Sequence, residues 1–420
     1  MKKLILILTS LFIVNSCESV TYKTPKDCST IEQNRFVYEY MKENYLWYSQ
    51  LPKVDYSSYS SPEKLLEALK NPKDHWSFII EKKALDDYFS GKGYVGYGFK
   101  LKKEDKIIIT MVYPGSPASR AGLRRGDKIL KINNQDVSAM SIQDINQAMG
   151  EDKQGVTTTF DIERIGSVTL TKEQVEIASV LQKEILDIDG EKVGYLMFDT
   201  FIETSTNELK DAFSVFEGNN ISKLIIDMRY NGGGLVGVAN DLVSLIIGKG
   251  NSGDISMSLK FNDKNSNKNS SYYIKEYSQS MNLEEVYFIT TKNTCSSSEA
   301  VINALKPYGV DVKLVGSTTC GKPVGMAGGE FCSKYILPIE FKIVNSDGYG
   351  DYFGGIGVDC AASDDIYHDF GDIQEAMLNE TIYLLRNGVC SSNQRVLSKN
   401  INITEHSQLK GFRAITGGAY

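Results

Sequence analysis

The sequence predicts an α/β protein of more than one domain, on three observations. Hydrophobic patterning alternates strand and helix from residue 184 to 390, which argues for a core of largely parallel strands. Short strands broken by turn residues fill 84–173, so a β-rich unit lies ahead of that core. Before it, Val37, Tyr40, Met41 and Tyr45 recur at three- and four-residue spacings and mark a small helical segment within 17–82. A chain of 420 residues exceeds what one hydrophobic core ordinarily serves, in keeping with that division.

The first residues read as an export signal. Lys2 and Lys3 precede an apolar run from Leu4 to Val14, shorter than the roughly 20 residues a spanning helix needs. Val14-Asn15-Ser16-Cys17 resembles a bacterial lipobox, so residues 1–16 are expected to be removed and Cys17 lipidated. A multiply acylated cysteine would hold the protein to a membrane of the bacterial cell envelope. The 46 Lys and Arg against 53 Asp and Glu give a net charge of −7, more negative still without Lys2 and Lys3. Nucleic acid is therefore not an expected partner. Cys28, Cys295, Cys320, Cys332, Cys360 and Cys390 remain; export permits disulfides, and six cysteines allow about 15 full pairings. Residues 391–420 carry no readable motif.

In the helical segment, Tyr45, Trp47, Tyr48 and Trp76 read as core. The β-rich unit holds Tyr97-Gly98-Phe99 and, between Pro114 and Asn133, an Ala121-Gly122-Leu123 helix and a Gly126-Asp127-Lys128-Ile129 strand start. It resembles a PDZ domain. That resemblance implies capture of peptide C-termini by strand addition at a sheet edge, with Tyr97, Gly98 and Phe99 at the carboxylate-binding positions. In the main core, 192–201 reads as a strand. Ser205 and Glu208 read as a capping box opening a helix with Leu209, Phe213 and Phe216 on one face. A buried strand at 223–228 leads through glycines to a helix at 235–247. The polar stretch 248–271 reads as a loop or exposed hairpin; strands follow at 286–290 and 312–316, with a helix at 298–306 between them.

Ligands of such cores gather at the carboxyl ends of the strands, and three of these ends carry chemistry. The glycines after Asp227 leave backbone amides bare, and Gly233 is a candidate donor to an oxyanion; alone, the run would be a tight turn. Ser296 opens a helix, where unpaired amides and the positive dipole end favour developing negative charge, so the Ser297 amide is a second candidate donor. Chemistry alone does not choose among Ser296, Ser297 and Ser298, and such a string is commonly a helix cap. Lys322 follows the third strand. A solvated lysine stays protonated, whereas one enclosed beside a serine can accept its proton. His75, His368 and His406 sit in no catalytic motif, so a Ser-Lys pair is the stronger proposal.

Asp227-Met-Arg-Tyr-Asn-Gly-Gly-Gly234, Ser296-Ser-Ser-Glu299-Ala300 and Gly316-Ser-Thr-Thr-Cys-Gly-Lys322, behind a PDZ-like segment, resemble the C-terminal processing (tail-specific) serine protease family. The likeness runs from about residue 40 to 384 and includes Gly354-Gly-Ile-Gly-Val-Asp359. It implies a crotonase-like (ClpP/crotonase) α/β core and a PDZ domain that recruits or gates the C-termini of polypeptide substrates. It also implies endopeptidase activity without metal or organic cofactor. In the family motif the nucleophile stands three residues before the glutamate, which selects Ser296, and the lysine maps to Lys322. Departures are Cys295 and Ser297 in place of small alanines, Met326 where a glutamine often orients the lysine, and a serine-to-lysine spacing one residue longer than usual. Two other functions fit these residues: a degenerate scaffold that binds tails without cleaving, and acyl transfer on a small molecule.

Overall fold

The structure, a computed structural model, describes residues 23–103 and 106–392. Cys17 and His406 lie outside them. Six strands form the central sheet in the order Val180–Ile188, Glu191–Phe198, Lys223–Asp227, Glu285–Thr290, Asp311–Gly316 and Cys360–Ala361. The first pair is antiparallel and the rest parallel, in a register that aligns Leu196, Ile226, Phe288 and Leu314 across the sheet.

Successive side chains leave a strand on opposite faces, and both faces here are covered. Leu224, Ile226 and Phe288 pack under the helices Ser205–Gly218, Val236–Asn251 and Ser297–Leu305. Ile225, Tyr287 and Ile289 pack against the helix Ala376–Asn387. Two sequence expectations fail locally. No capping box forms at Ser205 and Glu208: the Ser205 hydroxyl donates to Thr200 O, while the Glu208 carboxylate accepts from the Ser179 and Val180 amides. The stretch 248–271 is a hairpin, but its first strand, Ile255–Phe261, is largely buried and belongs to a second, antiparallel sheet with Ser270–Tyr273, Phe341–Asn345 and Val324–Gly325. The polar pattern misleads because Ser256 and Ser258 are buried with partners, Asn240 Oδ1 and Ser271 Oγ.

The N-terminal helices Thr30–Asn44 and Pro62–Leu69 do not close a core of their own. Phe36, Val37, Tyr40, Leu65 and Leu69 pack with Val324, Phe331, Ile336 and Ile339 from far along the chain. The strand Phe78–Glu81 pairs with Lys334–Leu337, and a Cys28–Cys332 disulfide pins the same junction. The other disulfides are Cys295–Cys320 and Cys360–Cys390, so all six described cysteines are paired.

The β-rich unit places Phe99–Lys103 at one edge of its sheet, beside Ile107–Val112. It docks on the main core through buried charges. Lys100 Nζ lies 2.6 Å from Asp199 Oδ1, and the Tyr113 hydroxyl donates to Asp199 Oδ2 at 2.7 Å. Arg125 pairs with Asp364 at 2.7 Å and donates to the Tyr230 hydroxyl. Among the described residues no helix is long and apolar enough to cross a membrane.

Candidate active site

Three parallel strands end side by side, and the loops leaving them converge. Gly233 follows the strand Lys223–Asp227 with φ +100°, a conformation that favours glycine. A Cβ built on Gly233 would lie 2.8 Å from Ser296 Cβ, 2.8 Å from Cys295 O and 3.0 Å from the Ser297 amide nitrogen. Gly233, Ser296 and Ser297 therefore share one small space. The Gly233 amide is already donated to Asn231 Oδ1 at 2.9 Å in this arrangement.

Ser296 sits just before the helix Ser297–Leu305 with φ 56° and ψ −113°. A left-handed φ is costly for serine and persists only where surrounding structure over-determines it. The neighbouring hydroxyls are otherwise engaged. Ser297 and Ser298 are buried, and their hydroxyls donate to Gly234 O and Asn231 O at 2.7 and 3.1 Å. Ser296 is partly exposed.

Glu299 joins the serine and lysine segments. Its buried carboxylate accepts from the amides of Ser296 at 3.0 Å and of Gly321 and Lys322 at 2.8 Å, and from the Thr319 hydroxyl. Burial pushes this carboxyl up, against the opposing effect of the Thr319 hydroxyl and the three amides. In the sequence Glu299 is legible as the glutamate of the family motif, three residues after Ser296; its link to residues 319–322 needed the strand order.

Lys322 leaves the end of the strand Asp311–Gly316 by way of a tight turn. Burial pushes its amine down to about 8, while Asp74 and Glu299 pull the other way. Asp74, buried in the N-terminal segment and bonded to the Tyr45 and Ser77 hydroxyls, was not foreseen as a neighbour. Met326 packs in the apolar clusters beside the N-terminal helices. His75 packs edge-on against Trp76, and His368 pairs with Asp365.

Beneath the Gly233 turn lies an ion network that sequence reasoning also missed. Arg229, fully buried, donates to Asp227 at 2.7 Å, to Asp364 at 2.9 Å and to both oxygens of Glu375 at 2.8 and 2.9 Å. Burial alone would raise the Asp364 carboxyl, but Arg229 and Arg125 hold it down at about 2. Of the positions assigned to peptide capture, Tyr97 and Phe99 are fully buried in the β-rich unit, and the Tyr97 hydroxyl donates to Thr158 Oγ1. Gly98 takes φ +88° with its carbonyl accepting from the Tyr113 amide, so any capture there would use backbone amides.

A model described as peptidase family S41 matches residues 192–358, which hold the glycine turn, the serine helix and the lysine turn. The chain belongs to peptidase family S41. The S41 N-terminal domain model matches residues 32–78 and a PDZ domain model matches 108–161. This S41 chain is 29% identical over 317 residues to a probable CtpA-like serine protease of Staphylococcus aureus, covering 72% of this chain and 61% of that protein. It is 25% identical over 381 residues to one of Staphylococcus epidermidis, covering 88% and 74%. The chain spans about three fifths of the length of the S. aureus relatives it matches. Among solved structures, an S41 protease from Bacteroides fragilis superposes with a TM-score of 0.69 at 25% identity, covering 83% of this chain and 96% of that one. The photosystem II D1 C-terminal processing protease shares the fold, with a TM-score of 0.52 at 18% identity over 80% and 94% of the chains. The α/β core with N-terminal and PDZ domains, expected from the sequence, is thus the architecture of the S41 fold.

Proposed function

We propose that this S41 chain is a serine endopeptidase of the C-terminal processing type, cleaving polypeptides in the bacterial cell envelope with Ser296 as nucleophile and Lys322 as base. The observation that supports it most is the junction at Glu299, which ties the Ser296 amide and the Lys322 amide to one buried carboxylate. In this reading Ser296 attacks the scissile carbonyl while the enclosed Lys322 amine takes its proton and later returns it to the leaving amine. The Ser297 amide, in the first helical turn where N–H groups lack intrahelical acceptors, receives the oxyanion. The Gly233 amide joins it once the Asn231 carboxamide turns away. Ser297 and Ser298 are poorer nucleophile candidates, since their hydroxyls already donate to backbone carbonyls.

The strand Phe99–Lys103 lies at the edge of its sheet, where a peptide strand could add, which supports recruitment of substrate C-termini with the Tyr97, Gly98 and Phe99 backbone at the carboxylate. The lipobox supports anchoring through Cys17. A degenerate scaffold remains the second reading, favoured by the occupied Gly233 amide and by Met326 in an apolar cluster.

A serine-reactive phosphonate probe separates the two. The expected result is a single adduct mapped by mass spectrometry to Ser296, lost in Ser296→Ala together with turnover of an unfolded, tail-bearing polypeptide. Labelling at Ser297 or Ser298 would refute the assignment, and no labelling across the pH range would favour the scaffold. Gly233→Ala adds a second check. Its methyl would meet Ser296 and the Ser297 amide at 2.8 and 3.0 Å. We expect kcat to fall by about 10²-fold, the scale of one lost oxyanion donor, with KM little changed.

A further inference from the structure

We propose that the Cys295–Cys320 disulfide is a positioning element for the Ser296–Lys322 pair, so that reducing this one bond switches turnover down. The inference rests on the dyad reading above. Cys295 immediately precedes Ser296, and Cys320 stands two residues before Lys322, so the bond joins the two segments directly at the site. Its sulfurs and a Glu299 carboxylate oxygen all lie within 4.8 Å of one another, with Cys320 Sγ 3.6 Å from Glu299 Oε2. The same two loops are also joined by the Cys320 amide donating to Thr294 O at 3.0 Å.

Ser296 and Gly321 both hold left-handed φ values, 56° and 85°. A serine kept in such a conformation depends on the number of constraints around it, and the cross-link is a covalent one on its neighbouring residue. Met326, four residues beyond the lysine, packs among apolar side chains and has no group to hold the amine by a strong hydrogen bond, so the lysine's placement falls to its own turn. That turn is held by Glu299 and by this bond. The other two disulfides serve different junctions. Cys28–Cys332 ties the N-terminal segment down, and Cys360–Cys390 fastens the edge strand to the end of the last helix.

Reduction balances as a thiol–disulfide exchange. A dithiol reductant supplies two electrons and two protons, the Cys295–Cys320 S–S bond breaks, two S–H groups form, and the reductant closes to its own disulfide. Both cysteines are partly exposed, so the bond is open to exchange.

The test compares wild type, Cys295→Ala/Cys320→Ala, and Cys360→Ala/Cys390→Ala on an unfolded, tail-bearing polypeptide, with full pH profiles. Loss of the cross-link is expected to lower kcat at least about tenfold with KM within about twofold, the split of an interaction made in the transition state. Loosening the enclosure is also expected to move the acid limb of the profile to higher pH, because burial is what holds the amine down and water entering the site relieves it, while Asp74 and Glu299 already favour the charged lysine. Dithiol treatment of wild type, with the reduced pair mapped by differential alkylation, should reproduce the drop, and reoxidation should reverse it. The Cys295→Ala/Cys320→Ala variant should be insensitive to the dithiol, and the Cys360→Ala/Cys390→Ala variant should respond as wild type does. If the doubly substituted variant keeps kcat and the acid limb within about twofold and 0.2 pH units of wild type, the bond is merely structural and the proposal fails. Should that variant not fold, the mapped wild-type reduction decides alone: unchanged kcat with this pair reduced overturns it. Ser296→Ala run in parallel keeps the two claims apart, because turnover retained there would sink the dyad reading, whatever the disulfide does.

Discussion

Lys322→Met is expected to lower kcat by at least about 10⁴-fold, the scale on which loss of one member of a catalytic set acts. Methionine matches the lysine side chain as far as its last carbon and removes the amine. The lysine amine is held down to about 8 by burial, so at pH 7 about a tenth of it is neutral and able to accept the Ser296 proton. The sign follows directly. Below about 8 the amine gains a proton and loses its function, so the wild-type rate should fall about tenfold for each pH unit of acidification. The residual rate of the variant should lack this limb. Its thermal midpoint should equal or exceed that of wild type, since burying a thioether avoids the desolvation that burying an amine entails. Steady-state rates from pH 5 to 9 and a thermal melt check both; turnover at the wild-type level would refute the assignment.

Arg229→Met should be the most destabilising single change in the core, by about 3–5 kcal/mol. The guanidinium is fully buried and donates to Asp227, Asp364 and Glu375; without it, three carboxylates remain desolvated around one cation, Arg125. The cost comes from the stranded partners, so the matching test is Arg229→Met in urea unfolding against wild type, with the midpoint falling and the slope unchanged. Acid adds a signature. The Asp364 carboxyl drops from its ordinary 3.8 to about 2 in the folded protein, so its contribution is complete above 3.8 and is lost as the pH falls through about 2. In the variant that part of the acid resistance should vanish. Activity should fall with it, because Arg229 anchors the end of the strand Lys223–Asp227 from which the chain turns toward Gly233, beside Ser296.

The parts legible in the sequence are those set by local pattern. Strand-helix alternation located the parallel sheet because its strands, covered on both faces, are apolar throughout, as in Leu224-Ile225-Ile226. Glycines after Asp227 and the helix opened by Ser296 announced two strand ends by turn and cap chemistry. Pairings that depend on distant sequence were illegible. Glu299 could be placed in a first turn, but not against Gly321 and Lys322, until the order of strands brought the strand Asp311–Gly316 beside Glu285–Thr290. The second sheet hid behind buried serines at 256 and 258, whose satisfied hydroxyls look like surface in a one-dimensional pattern. Ser205 and Glu208 show the converse: the right spacing for a capping box, with both side chains drawn to partners upstream.

The shared packing of the N-terminal helices has a consequence in time. A chain delivered from its N-terminus produces Phe36, Val37 and Leu65 early, but their packing partners Phe331, Ile336 and Ile339 arrive more than about 260 residues later. Closing so long a separation carries an entropic cost that is met only when nearly the whole chain is present. Lys322 lies just ahead of those late partners, and Asp74 beside it belongs to the early segment. The lysine's enclosure is therefore expected among the last events of folding, and on the proposed mechanism an incompletely delivered chain carries Ser296 without its base.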